Sequence, residues 1–268
     1  MRQSIESVIN QTYKNWELII IDDCSSDSTP EIAKEYLDKE DRIRYYRNEI
    51  NLKLPRGLNR GFSLANGDYL TWTSDDNLYL PTAIERMVQV LQSGQADFVF
   101  ATCEVINENG EVIEIIKAPK DYKEAIIGGN FVGACFLYTR KVYETIGDYD
   151  VNKFLVEDYD YWLRVFCRFN VHNIEEALYH YRWHDGALTS TEKKDSINSM
   201  CEKVLLENID NYGQLNLKQK YYLYSQLNRL RQTRQKEKER KEYKHKAKIH
   251  GIYYYLFFRI PEKIKSFF

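Results

Sequence analysis

The chain has 268 residues, 43% of them hydrophobic and 14% aromatic, which suffices for one sizeable core plus an appendage. Its five cysteines show no paired spacing, which argues against a disulfide framework or a zinc site, and no apolar run reaches the roughly 18 residues of a membrane span. The net charge of −2 hides an asymmetry, because residues 229–268 carry thirteen Lys/Arg against four Glu while the rest is acidic.

In chain order, residues 4–11 read as a helix with Ile5, Val8 and Ile9 apolar. Residues 16–21 form a near-continuous apolar run, the pattern of a strand buried on both faces, and end at Asp22-Asp23. Ser28-Thr29-Pro30-Glu31 supplies a cap, an early proline and an early acid, which start a helix. Residues 42–47 are a short strand, 57–65 a helix, and Asn66-Gly67-Asp68 a turn. Residues 69–73 are the next strand, 81–92 the next helix, and 97–101 another strand. This βαβα rhythm predicts a mostly parallel sheet with helices on both faces.

The rhythm then changes. Asn109-Gly110 marks a hairpin within 104–117, and Gly128-Gly129-Asn130 leads into the apolar 131–138. Residues 159–169 read as a helix, and from about Ser196 the chain is helical and increasingly charged. A doubly wound domain usually opens on a buried strand, whereas this chain opens on a helix. The expectation is that in-frame sequence upstream encodes an apolar strand. The 22 tyrosines suit carbohydrate or interface contacts, and equally an AT-rich coding sequence.

Carboxylates recur at strand or loop ends: Asp22/Asp23, Asp75/Asp76, Glu157/Asp158 and, less clearly, Asp148/Asp150. Ligands bind at strand ends in open α/β sheets. Two adjacent carboxylates repel unless a cation lies between them or one is neutral or solvated. Two readings of Asp75-Asp76 therefore stand, a hard-metal and diphosphate site or an acidic turn capping the next helix.

The order of the motifs narrows this. The segment from Ser7 through Gln11, Trp16 and Asp22-Asp23 resembles the opening of family-two glycosyltransferases of the GT-A fold. Asn59-Arg-Gly61, Ala65-Asn-Gly-Asp-Tyr69, Thr73-Ser-Asp-Asp-Asn77, Ile146-Gly-Asp-Tyr-Asp150 and Val156-Glu-Asp-Tyr-Asp-Tyr-Trp-Leu-Arg164 follow in that family's order. The resemblance covers about residues 1–190, leaving 191–268 as a helical extension with a basic, aromatic tail. It implies an α/β GT-A sheet and inverting transfer from a nucleotide-diphospho-sugar, typically UDP-linked, with Mn²⁺ or Mg²⁺.

The resemblance also assigns roles. Asp22 or Asp23 would accept a hydrogen bond from the nucleotide base, and Arg56 would reach the base or a phosphate oxygen. Asp75 would lie near the ribose or a metal-bound water, and Asp76 would ligate the metal. Asp158 would be the base that deprotonates the acceptor hydroxyl, with Glu157 beside it orienting the acceptor or raising the base's pKa. His184 would ligate the metal or touch the diphosphate. Trp162 and Trp183 read as sugar-stacking or, more simply, packing residues. The chain departs from the family in opening without the usual first strand and in having Thr73 where many members have Asp.

The basic residues beside 252–258 suit an anchor on anionic lipid, or a helix packed on the body or a second subunit. The expected location is cytoplasmic, with the tail able to rest on the inner face of the cell membrane. The expected partners are a nucleotide-sugar and a glycan or lipid-linked acceptor, in surface polysaccharide synthesis, without nucleic acid. Two rivals remain, a nucleotidyltransferase, although no early phosphate loop is present, and a non-catalytic sugar- or partner-binding relative.

Overall fold

A computed structural model describes residues 1–184 and 194–250. The aromatic stretch 252–258, the C-terminal residues 259–268 and the segment directly after His184 lie outside the described residues.

The N-terminal third is a small α/β unit. Helix α1 (Arg2–Ile9) buries Ser4, Ile5 and Val8 on one face. Strand β1 (Leu18–Asp22) pairs in parallel with β2 (Ile43–Arg47), Leu18 opposite Ile43 and Asp22 opposite Arg47. Helix α2 (Thr29–Leu37) connects them and carries Pro30 in its first turn, where its fixed φ suits a helix. Helix α3 (Leu54–Leu64) follows and lies on β1, where a Cβ at Gly61 would stand 3.4 Å from the Ile21 side chain. These two strands form their own two-stranded sheet. The expectation of a β1 buried on both faces fails for that reason: with one ladder neighbour, Leu18–Ile21 are only half-buried.

The second sheet has six strands, ordered β3 (Tyr69–Leu70), β7 (Phe136–Thr139), β5 (Phe98–Ile106), β8 (Val171–Arg182) and β4 (Leu78–Tyr79), with β6 (Val112–Ile116) also on β5. It is mixed rather than mostly parallel, since only β5 and β8 run parallel in it. The Asn109-Gly110 signal is met by the β5–β6 hairpin, where Asn107 accepts both Asn109 N–H and Glu111 N–H. Strand β8 is long yet unannounced in the sequence. Its alternation is broken at Glu175 and Glu176, which stand exposed where the β5–β8 register shifts.

Strand β3 stops at Leu70, short of the expected Thr73. Side chains then hold the segment instead: Thr71 meets Tyr79 at 3.0 Å, Thr73 meets Tyr179 at 2.5 Å, and the Trp72 indole donates to the Tyr149 hydroxyl at 3.1 Å.

Helix α4 (Ala83–Gln92) covers one face of the six-stranded sheet through Ala83, Met87, Val88 and Leu91. The other face carries the main core, where α7 (Glu157–Phe166) packs Trp162 between Phe98 and Phe136, with ring centroids 5.0 and 4.6 Å away. Short helices α5 (Tyr122–Ala125) and α6 (Arg140–Ile146) flank that core. Helices α8 (Lys194–Asn208) and α9 (Leu217–His250) close it with Val204, Leu205 and Leu227. Trp162 is thus a core residue, whereas Trp183 is half-exposed. Among the described residues, no helix is long and apolar enough to cross a membrane.

Candidate active site

Three loop clusters carry Asp22/Asp23, Asp75/Asp76 and Glu157/Asp158, while the fourth pair is engaged locally, Asp148 by the Tyr143 hydroxyl at 3.2 Å and Asp150 by the Asn152 amide at 2.9 Å. At the end of β1, Asp22 is buried, and its oxygens accept from the Ser25 amide at 2.7 Å and the Tyr45 hydroxyl at 2.6 Å. Burial alone would raise its pKa, but these bonds and the nearby Arg47 outweigh it and hold the carboxyl below the usual range. Asp23 accepts from Asn48 Nδ2 and the Leu52 amide, each at 2.7 Å, and from the Lys53 amide at 2.9 Å. It fixes the 48–53 loop on which α3 begins. Arg56 stands exposed in the first turn of α3.

The second cluster is the Asp75-Asp76 turn between β3 and β4. Asp75 is exposed, while Asp76 is half-buried. His184 Nε2 lies 3.0 Å from Asp76 Oδ2, and Asp76 Oδ1 is buried with no hydrogen-bond partner. The turn is braced from three directions. Ser4 Oγ on α1 donates to the Ser74 carbonyl at 2.9 Å, and Asn77 Oδ1 accepts the Arg182 amide at 2.8 Å. The Arg182 guanidinium donates to the Asp76 carbonyl at 3.1 Å and to Gln3 at 2.9 Å.

The pair of Asp76 and His184 suits a hard divalent cation: one oxygen is already aimed at the imidazole, and the other is an orphaned buried acceptor. Among the described residues, no three Asp, Glu, His or Cys side chains come together as a complete metal cage. The remaining ligands would have to come from phosphate oxygens and water, the usual arrangement for a magnesium-type ion.

The third cluster is the start of α7. Glu157 is buried, and its Oε2 has no hydrogen-bond partner. Burial, then the charge of Asp158, pushes its carboxyl up to about 7. Asp158 is also raised, by desolvation, against the opposing pull of the Tyr159 amide and the Asn130 side chain. Asn130 Nδ2 donates to Asp158 Oδ2 at 2.8 Å. The first turn of a helix favours negative charge, so these acids are partly stabilised where they stand.

Two residues join the second and third clusters. Tyr149 accepts from Trp72 on the segment leading to Asp75-Asp76, and its ring stacks on Tyr161 of α7 at 4.3 Å. The Asn59 side chain grips the Tyr149 backbone in both directions, donating to its carbonyl and accepting its amide, each at 2.9 Å. Asn59, Asn130, Tyr149 and Arg182 are thus positioning residues. Asn59 and Tyr149 sat inside quoted motifs, but nothing in sequence spacing pairs residues 90 positions apart.

Backbone strain falls at the same places. The described non-glycine residues with positive φ are Cys24, directly after Asp23, Lys53, on the loop that Asp23 fixes, and Leu155, two residues before Glu157. Such conformations cost of order 1–3 kcal/mol and collect at functional sites.

The family model described as Glycosyl transferase family 2 matches residues 1–147. The glycosyltransferase EpsE of Bacillus subtilis is 35% identical over 188 residues, spanning 68% of each chain. An uncharacterized glycosyltransferase of Rickettsia typhi is 30% identical over 71% of this chain and 62% of its own. One of Methanocaldococcus jannaschii is 31% identical over 68% of this chain and 65% of its own. The chain therefore matches about two thirds of the length of these relatives. In fold it resembles Staphylococcus aureus TarS 1–349, solved with UDP and with UDP-GlcNAc, at TM-scores of 0.66 and 0.67. Identity there is 14% and 15%, over 85% of this chain and 67% and 68% of that one.

Proposed function

The chain belongs to glycosyl transferase family 2, and on that premise we propose that it moves a sugar from a nucleotide-diphospho-sugar to an acceptor hydroxyl with inversion at the anomeric carbon. TarS, which shares the fold, is solved with UDP and with UDP-GlcNAc, and this supports a UDP-linked donor. Residues 1–190 form the transferase domain in this reading, and 191–268 its helical extension. The observation that carries it is the division between carboxylates. The Asp76 end offers an orphaned oxygen beside His184, and the α7 end offers desolvated acids with raised pKa.

The acceptor hydroxyl attacks the anomeric carbon, the bond from that carbon to the β-phosphate oxygen breaks, and the hydroxyl proton passes to Asp158. A raised pKa makes Asp158 a stronger base than an ordinary carboxylate. Asn130 holds one of its oxygens and so fixes the direction of the carboxylate. Glu157, neutral below about pH 7, can donate a hydrogen bond to the acceptor; ionised, it adds to the basicity of Asp158. Asp76 and His184 would hold Mn²⁺ or Mg²⁺, which when bound offsets charge on the departing diphosphate. Asp22, Asp23, Arg56 and Asp75 would shape the nucleotide pocket, with Asp23 holding the Leu52 and Lys53 amides of the loop that leads into the helix of Arg56. The setting is surface polysaccharide or lipid-linked glycan synthesis at the cytoplasmic face of a membrane, with the basic 229–268 segment on anionic lipid.

The test is a purified-protein assay against a panel of nucleotide sugars with Mn²⁺ or Mg²⁺, following nucleoside diphosphate release and product anomeric configuration. Release of UDP with an inverted product is expected. Retention of configuration, or pyrophosphate release, would refute the reading.

A further inference from the structure

Helix α9 lies outside the region matched by the family model, yet it packs on the turn that leads to the hydrogen-bond partner of the candidate base. Tyr222, Gln226 and Arg229 recur at the spacing of one helical face. They meet the turn Ile126–Gly128 and Gly129 that leads to Asn130. The approach is close. A Cβ at Gly128 would stand 2.9 Å from the Tyr222 ring, and Gly129 has φ +149°, which suits glycine. A Cβ at Gly129 would stand 3.7 Å from Arg229 Nη2 and 3.9 Å from Gln226 Nε2. The next residue, Asn130, holds Asp158.

Two donors stand on this face. Gln226 is only 5% exposed, and its amide nitrogen lies on the side that meets Gly129. The Arg229 guanidinium has no carboxylate partner among the described residues, whereas Asp121 before α5 pairs with Lys218 and Glu202 of α8 with Arg231. Cys201 on α8 feels both charges: burial pushes its thiol up to about 11, Asp158 adds to that and Arg229 opposes it. An amide and a guanidinium side by side can both donate to one anion, and a guanidinium suits phosphate.

We propose that Gln226 and Arg229 form an anion subsite beside Asp158 that binds a phosphate group carried by the sugar acceptor. This rests on the transferase reading above and adds the acceptor's chemical class to it. The subsite leaves the reacting hydroxyl to Asp158 and sets which acceptors reach it. The phosphate belongs either to a soluble sugar phosphate or to a lipid-linked sugar diphosphate.

The experiment uses the full chain with the active nucleotide sugar. It compares sugar monophosphates, the matching neutral methyl glycosides, and polyprenyl-diphospho-sugars in detergent. Wild type, Arg229→Gln, Gln226→Ala and the control Lys220→Gln are measured for acceptor KM, kcat and hydrolysis of the donor by water. Arg229 is exposed, so its replacement should leave folding intact. Loss of a charged hydrogen bond should raise KM for phosphorylated acceptors about 10- to 100-fold. Donor hydrolysis, the donor KM and the Lys220→Gln variant should be unchanged. Preference between the monophosphate and lipid arms identifies the source of the phosphate. Equal use of neutral and phosphorylated acceptors, or unchanged KM in Arg229→Gln with donor hydrolysis intact, overturns the subsite alone. Absence of any nucleotide-sugar turnover overturns the transferase reading, and the subsite with it.

Discussion

The same residue type is handled in opposite ways at the two ends of this site. At the end of β1, Asp22 is buried but surrounded by donors, and its pKa is lowered. At the start of α7, Glu157 is equally buried, has an orphaned oxygen, and is raised to about 7. Burial is common to both, so the difference lies in the donors supplied around each carboxylate. Around Asp22 stand an amide and a hydroxyl, whereas Glu157 Oε2 has no donor among the described residues.

The largest expected effect lies at the α7 end. Asp158→Asn should lower transfer by about 10²- to 10⁴-fold, the usual worth of a general base, as measured by product formation at saturating substrates. Turnover within a few-fold of wild type would remove Asp158 from that role.

Next come the pH slopes of stability, which should differ in sign at the two ends. Glu157 keeps its proton in the folded state up to about pH 7, while the unfolded chain loses it near 4.5. Its contribution therefore falls as pH rises across that window. At about 1.4 kcal/mol per unit, the total is roughly 3 kcal/mol. Glu157→Gln should remove this loss, so denaturant melts from pH 5 to 8 should show a flatter profile than wild type. Asp22 behaves in reverse: its lowered pKa stabilises the fold above the ordinary value of 3.8, and that stability is lost as pH falls through the folded value. Asp22→Asn should cost about 1–3 kcal/mol at neutral pH and relatively less in acid. An Asp22→Asn profile parallel to wild type across the acid range would erase the contrast.

The smallest effect sharpens the comparison further. Asn130 stabilises the ionised form of Asp158. Asn130→Ala should therefore move the acidic limb of the kcat/KM profile to higher pH, and a shift to lower pH would contradict the assigned hydrogen bond.

The order of elements up to β3, and helix α4, were legible in the sequence because each carries its own periodicity or start signal, as Pro30 does for α2; the two-residue β4 was too short to carry one. The hairpin was legible from Asn109-Gly110 for the same reason. Strand β8 was not, because Glu175 and Glu176 at its bulge break the alternation that would reveal it. The parallel bias was overestimated because strand direction within the second sheet depends on how β7 and β4 return to it, a property of tertiary contact. At the site, the carboxylates were legible as types and motifs. Which of them would be donor-rich and which donor-poor was not, since Tyr45 reaches Asp22 across 23 positions and Asn130 reaches Asp158 across 28.

The division of labour is tested most directly by titrating UDP in the presence of Mn²⁺ against wild type, Asp158→Asn and Asp76→Ala side by side. Asp158→Asn should bind UDP as wild type does, while Asp76→Ala should bind at least about 10-fold more weakly. Unchanged binding by Asp76→Ala, or an equal loss in Asp158→Asn, would contradict it.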